Sequence, residues 1–295
     1  MLYQQIEQNK RKTVLLLAVF CLLVLGIGWA VGYFTGGDSL SGVIIAAVIL
    51  IFYVPMTFAS AKAQVLRMAG AREIQKSDNP MVFNVVEELS VAAGVPMPKV
   101  YLVDDPSPNA FATGMSPKKS VIAFTRGLLE RLNREEIAGV AAHEFSHIRN
   151  YDIRLMTLCI ALVGVVVMIA EMGQRMFFWG GRGNKRNQKA NPLLLIIALV
   201  LIIAAPLAAQ FVQLAVSRNR EYLADASAVE LTRDPEGLIN ALMKISNDPE
   251  GLKHAQQATA SMYIASPFGR KKKKTSGWFA THPPIESRIE RLRAM

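Results

Sequence analysis

The 295-residue chain is poor in cysteine, in histidine and in charge. Its two cysteines, Cys21 and Cys159, each lie inside an apolar stretch and no CxxC pair exists. A disulfide framework and a cysteine-rich zinc module are excluded, and the cysteines say little about redox compartment. Charged residues make up 19% of the chain, against about 25% in an average soluble domain. The net charge of +10 comes without a basic face interleaved with aromatics and without a known nucleic-acid module, so nucleic acid is not an expected partner. No internal repeat is present, and Lys271–Lys274 is the one low-complexity tract.

Apolar residues, by contrast, reach 52%, and they are gathered into runs. Thr13–Phe34 is 22 residues without a charge, Ser39–Ala61 is 23 and Ala190–Ser217 is 28. About 20 such residues suffice for a helix to cross the hydrocarbon core. A simple soluble globule is therefore not expected. Lys10, Arg11 and Lys12 ahead of the first run imitate a signal peptide, but the run exceeds the usual h-region and a second follows at once. It reads as a retained anchor.

These runs divide the chain into four parts. Residues 1–62 form a transmembrane hairpin turning at Gly36-Gly37-Asp38, with basic residues before it and Lys62, Arg67, Arg72 and Lys76 after it. The positive-inside rule then puts both ends of the hairpin in the cytoplasm. Residues 63–154 read as soluble; counted with Lys62 they carry 12 basic and 11 acidic groups. There Asn79-Pro80 starts a helix that ends at Gly94. Lys99–Val103, Asn109–Gly114 and Ser120–Thr125 are three short strands, expected to form a small meander. Residues 155–217 form a second hydrophobic hairpin, spanning or partly re-entrant, because Leu155–Ala170 has only 16 uncharged residues and its partner contains Pro206. Residues 218–295 complete the soluble part. The expected fold is mainly α with a small β-meander and about four apolar helices.

The strongest chemical signal is His143-Glu144-Phe145-Ser146-His147, which holds half of the four histidines. Residues i and i+4 of a helix share a face, so both imidazoles can hold one zinc ion, with Glu144 beside them as general base toward the attacking water. Asn133 is a suitable N-cap for this helix. A catalytic zinc takes three protein ligands and keeps a fourth position open. Glu221, with Asp225 one turn on, is a candidate third ligand, while His254, His282 and other carboxylates remain open alternatives. Asp225 could accept the second ring N–H of a ligand histidine. The second hairpin returns the chain to the membrane face it left, bringing Glu221 to the side of His147.

His143–His147, Arg218–Asp225, Asn109–Ala112 and Thr281-His282-Pro283-Pro284 together resemble the M48 peptidases, and with the order of apolar segments the chain is similar to the HtpX-type bacterial heat-shock membrane proteases of that family. The resemblance implies an integral membrane zincin with one Zn²⁺ per chain, held by His143, His147 and Glu221, with Glu144 as catalytic base. It implies outer contacts from Asp225 and Arg218, and an edge strand Asn109, Ala110, Phe111 and Ala112 on which an extended substrate pairs by its main chain. His282 matches a family position near the site, where it could help stabilise the oxyanion. The implied setting is the bacterial cytoplasmic membrane, with the active site facing the cytoplasm and misfolded membrane proteins as substrates. A CAAX-type prenyl protease would have more spans. A membrane scaffold with structural zinc would need a closed ligand set and no acid at position 144. The basic tract Arg270–Lys274, followed by Trp278 and Phe279, is expected to touch anionic lipid.

Overall fold

The computed structural model describes residues 2–34, 38–162, 218–253, 255, 259–268 and 282–295. The turn at Gly36-Gly37, the second hairpin from residue 163 to 217, His254, the Arg270–Lys274 tract, Trp278, Phe279 and Thr281 lie outside the described residues.

Two long helices open the chain, α1 (Leu2–Phe34) and α2 (Ser39–Met68). Both are long and apolar enough to cross a membrane, over Glu7–Ala30 and Ser39–Met68. Their outer faces expose Leu22, Ile51 and Phe52 to more than 60%, an apolar surface too large for water and suited to lipid. The pair packs through glycine. A Cβ added at Gly42 would collide with the backbone of Gly28 and Gly32, so the absence of side chains there sets the close approach. Both helices outrun their uncharged segments, because nothing in Lys10–Lys12 or Lys62–Arg67 breaks a helix. The end of α2 serves the soluble part instead, with Val65 and Leu66 buried against the sheet.

Among the described residues the sheet has four strands, β1 (Ala71–Glu73), β2 (Lys99–Val103), β3 (Ala110–Gly114) and β4 (Ser120–Thr125), in the order β1-β2-β4-β3. It is mixed, and the expected three-strand meander is corrected on two points. β2 pairs with β4 in parallel, and β3, at the edge, pairs antiparallel with β4 and not with β2. The short turn after Gly114 makes β3–β4 a hairpin, and the Asp104–Asn109 link carries the chain past the place that β4 then fills. β1, too short to show a period, was not expected at all. β4 is buried throughout, and its side chains alternate between the two faces. Ile122 and Phe124 join the main core, while Val121 and Ala123 face Val65, Leu66 and Ile160.

Helices cover the main-core face. α3 (Pro80–Ala93) is capped by Asn79 and ends on the left-handed Gly94, as its residues imply. After α4 (Arg126–Arg131) comes α5 (Arg134–Arg149), then a helix over 152–162, α6. α7 (Arg218–Thr232), α8 (Pro235–Ser246) and α9 (Ile285–Arg293) close the core around α5.

Gly139 is where α5 meets α8: an added Cβ would lie 2.6 Å from Leu238 N and 2.9 Å from its Cα. Alanine in mid-helix gains about 1 kcal/mol of propensity over glycine, but overpacking costs about 1–3 kcal/mol, and backbone of a facing helix has no rotamer to escape into. Gly139→Ala should therefore destabilise the protein, lowering the midpoint of thermal unfolding by a few degrees; a higher midpoint would contradict this packing.

Candidate metal centre and active site

The site is built on α5. Asn133 and Glu136 form a reciprocal capping box at its start, which sets the helix register and so the direction of every side chain along it. His143 and His147 share one face, and their Nε2 atoms stand 3.2 Å apart. From α7, Glu221 brings Oε2 to 3.8 Å from His143 Nε2 and Oε1 to 3.5 Å from His147 Nε2. These three are the group among the described residues that could hold a metal ion.

Each histidine is aimed from behind. Nδ1 of His143 lies 2.9 Å from Oδ1 of Asp225, and Nδ1 of His147 lies 3.0 Å from Oδ2 of Asp152. A carboxylate accepting Nδ1–H leaves Nε2 as the free lone pair. Both carboxylates are themselves held. Arg288, fully buried, donates to both oxygens of Asp225 at 2.8 and 2.7 Å and to the carbonyl of Ile264 at 2.7 Å. Asp152 Oδ1 accepts from Asn9 at 2.6 Å and from Arg220 at 3.2 Å.

The residues present fit a divalent cation. Zinc bonds of 2.0–2.1 Å at tetrahedral angles separate neighbouring donors by about 3.4 Å, close to the observed spacings. Four carboxylates, Glu144, Asp152, Glu221 and Asp225, are buried here against the guanidinium of Arg288 and, at Asp152, that of Arg220, so negative charge is in excess once His147 gives up its ring proton. Glu144 is only 1% exposed, and its Oε1 has no hydrogen-bond partner. An orphaned carboxylate oxygen in such a place marks a position for a substrate or water proton.

Electrostatics follow from burial and these contacts. Desolvation drives the Glu144 carboxyl up to about 7, with Glu221 adding to it and His147 opposing. Burial works against a charged His147, yet Asp152, Glu221 and Glu144 outweigh it and raise the ring to about 9. His143 moves down, because burial, Arg288 and His147 outweigh Asp225. Glu221 resists the upward push of burial and falls below the usual carboxylate range, pulled by His282, His147 and His143.

The other expected residues fall in several places. His282 reaches the site, its Nδ1 3.2 Å from Glu221 Oε2 and its Nε2 3.3 Å from the Ala260 carbonyl. Arg218 is exposed on the first turn of α7; the arginine of this helix that faces the centre is Arg220. Asn109–Ala112 lies at the sheet edge beside the centre, and the Ala112 backbone draws the Glu144 carboxyl back down. That edge is partly engaged. Ile264 N donates to Ala110 O at 3.0 Å, Phe111 bridges Tyr263, Asn109 Nδ2 donates to the Ala265 carbonyl, and Gly114 N donates to Thr157. Sequence reasoning missed Asp152, Arg288, Arg220 and Asn9. Asp152 had a faint signal, five residues past His147, and Arg220 lay inside the Arg218–Asp225 motif beside Glu221; Asn9 and Arg288 come from distant segments and had none.

Two histidines on one helix turn, a buried glutamate between them with one unpartnered oxygen and a glutamate donor from a second helix are the machinery of a metallopeptidase. Comparison with known proteins supplies the family. The Peptidase family M48 model matches residues 76–295, and the chain belongs to that family. It is 49% identical over 305 residues to "Protease HtpX homolog" of Listeria monocytogenes serotype 4a (strain HCC23), and 51% identical over 301 residues to the protein of the same name from Ligilactobacillus salivarius (strain UCC118), covering 100% of both chains in each case. The crystal structure of S. mikatae Ste24p matches 98% of this chain at a TM-score of 0.50 and 17% identity, and the chain spans 66% of that protein; the likeness is one of fold.

Because His147 is held protonated up to about pH 9, a metal ion must displace its proton at neutral pH. Zinc affinity should rise about tenfold per pH unit from pH 7 towards 9, the slope of one released proton. Competition with a chromophoric chelator at pH 7, 8 and 9 checks this, and a flat profile would contradict the protonated ring.

Proposed function

We propose that this metallopeptidase is a zinc-dependent membrane endopeptidase with its active site at the cytoplasmic face, working in quality control of misfolded membrane proteins. His143, His147 and Glu221 hold one zinc ion, Glu144 is the catalytic base, and Asp225 orients His143. The observation that carries this is the convergence of three donors at 3.2–3.8 Å beside the unpaired Glu144 Oε1. The reading also takes the chain to have about four apolar helices, of which α1, α2 and the start of a third are described.

A bound zinc supplies Lewis acidity for the scissile carbonyl and the attacking water. Glu144 takes the proton of that water and later delivers it to the leaving amine. Burial suits it to both tasks, since a carboxyl near 7 can hold or release a proton at neutral pH. His282, against Glu221, lies where it can donate toward oxygen charge developing on the substrate. Ala112 offers main-chain groups at the edge of β3 for an extended substrate. The centre is closed, with His143, Glu144 and Glu221 at 5% exposure or less, so an extended chain pairing along Asn109–Ala112 must displace the Tyr263–Ala265 segment.

Glu144→Gln should keep full zinc content while cleavage of casein falls by at least about 10²–10⁴-fold, the range for a lost general base. Glu221→Gln should lose zinc and activity together, because a neutral amide is a poor replacement for an anionic donor. Metal analysis paired with the cleavage assay separates the two, and full zinc and full rate in Glu221→Gln would remove it from the ligand set.

Orientation has its own test. Single cysteines at positions 5, 70 and 253, in a chain without Cys21 and Cys159, should be labelled only from the cytoplasmic side, given the basic residues around the first hairpin. Labelling of position 70 from outside would overturn the cytoplasmic active site.

A further inference from the structure

The polar residues of the apolar hairpin divide into two kinds. Thr13, Thr57 and Ser60 each donate to the carbonyl four residues back on their own helix, the local solution available to any hydroxyl. Asn9 does something else. It is buried, and its Nδ2 donates to Asp152 Oδ1 at 2.6 Å and to the Asn150 carbonyl at 3.0 Å, more than 140 residues away in sequence. A buried amide left unpaired is costly, so both contacts are held firmly.

What Asn9 holds is the corner that follows the HExxH helix. Asn150 is the C-cap of α5, and the other oxygen of Asp152 receives Nδ1 of His147. Between them Tyr151 has φ +61°, a left-handed conformation that a bulky residue adopts only where its surroundings hold it. That sharp turn brings Asp152 back beneath His147. Lys10 lies 5.5 Å from the centre of the Tyr151 ring, so two successive residues of α1 grip the corner. Arg220 also reaches Asp152 Oδ1, at 3.2 Å, while Asn9 spans both the carboxylate and the helix end.

We infer that Asn9 is a positioning residue of the metal centre: through Asp152 it fixes the ring of His147, making the first apolar helix a working part of the site as well as an anchor. The inference rests on the proposal that His147 is a metal ligand. Without Asn9 the Asp152 carboxylate keeps Arg220 and loses its tie to α1, and the His147 ring gains freedom. Loss of an outer partner of a ligand histidine typically weakens metal binding 10–100-fold.

The test is a double-mutant cycle on zinc affinity, with the full chain in lipid nanodiscs and a chromophoric chelator as competitor. Asn9→Leu should weaken zinc about tenfold, and Asp152→Ala by up to about 100-fold. In the Asp152→Ala background Asn9→Leu should cost nothing more, whereas combined with Asp225→Asn, on the other histidine, the two losses should multiply. Asp152→Asn, which keeps the side-chain volume, is a second background in case the alanine variant does not fold. The visible spectrum of the cobalt-loaded protein should change in Asn9→Leu, reporting altered ligand geometry independently of turnover. Unchanged zinc affinity in Asn9→Leu, or an equal loss in every background, would mean that Asn9 only stabilises the hairpin, and would overturn the inference. His147→Ala gives the separate control: if it leaves zinc affinity intact, the ligand assignment itself fails, and the inference with it.

Discussion

Everything at the centre depends on two hydrogen bonds made away from it, those from Nδ1 of His143 and His147 to Asp225 and Asp152. A neutral imidazole has one donor and one acceptor nitrogen. Committing Nδ1–H to a carboxylate in both rings aims two lone pairs into the same small space. Left to itself, such a pair of buried rings would repel, or share a proton, as His147 and His143 do at 3.2 Å. The arrangement is tolerable because the surrounding carboxylates create an excess of negative charge that favours a cation there.

Holding those carboxylates is the larger structural task. Asp225 is fixed by Arg288, which also bonds the Ile264 carbonyl. One fully buried guanidinium thus joins α7, α9 and the segment lying on β3. Burying an arginine and an aspartate is expensive, and the pair survives by excellent bidentate geometry; removing either partner would strand the other. The last helix of the chain is therefore part of the centre, although none of its residues is a ligand. On the opposite side Asp152 is fixed by Arg220 from α7 and Asn9 from α1. The centre is thus clamped between the C-terminal helices and the membrane hairpin, with α5 between them.

The sheet plays a different part. β4 is wholly buried and provides rigidity, with one face toward α5 and the other toward the end of α2 and α6. β3, at the edge, lies against the centre and supplies main-chain groups. Its edge is satisfied at Ala110 by Ile264 and at Gly114 by Thr157, so the buried backbone is paired in the closed state. Under the proposed function, a substrate strand pairing there would exchange one set of hydrogen bonds for another, a nearly balanced replacement.

Local rules in the sequence were enough for the elements whose causes are local. The capping box at Asn133, the Asn79-Pro80 start and Gly94 stop of α3, the β-branched strands, the apolar lengths of α1 and α2, and the i, i+4 histidines on one face all follow from residues within a few positions of each other. The spacing Glu221–Asp225 likewise marked one helix face carrying two acids, the first of them a candidate metal donor. Only the tertiary structure decided the parallel pairing of β2 with β4, since strand order depends on where the connecting link passes and not on strand composition. It alone selected Arg220 over Arg218, because which side of α7 meets α5 is a matter of packing. It alone brought Asn9 and Arg288 to the two orienting aspartates, since contacts between residues 143 and 63 positions apart leave no periodic trace in the chain.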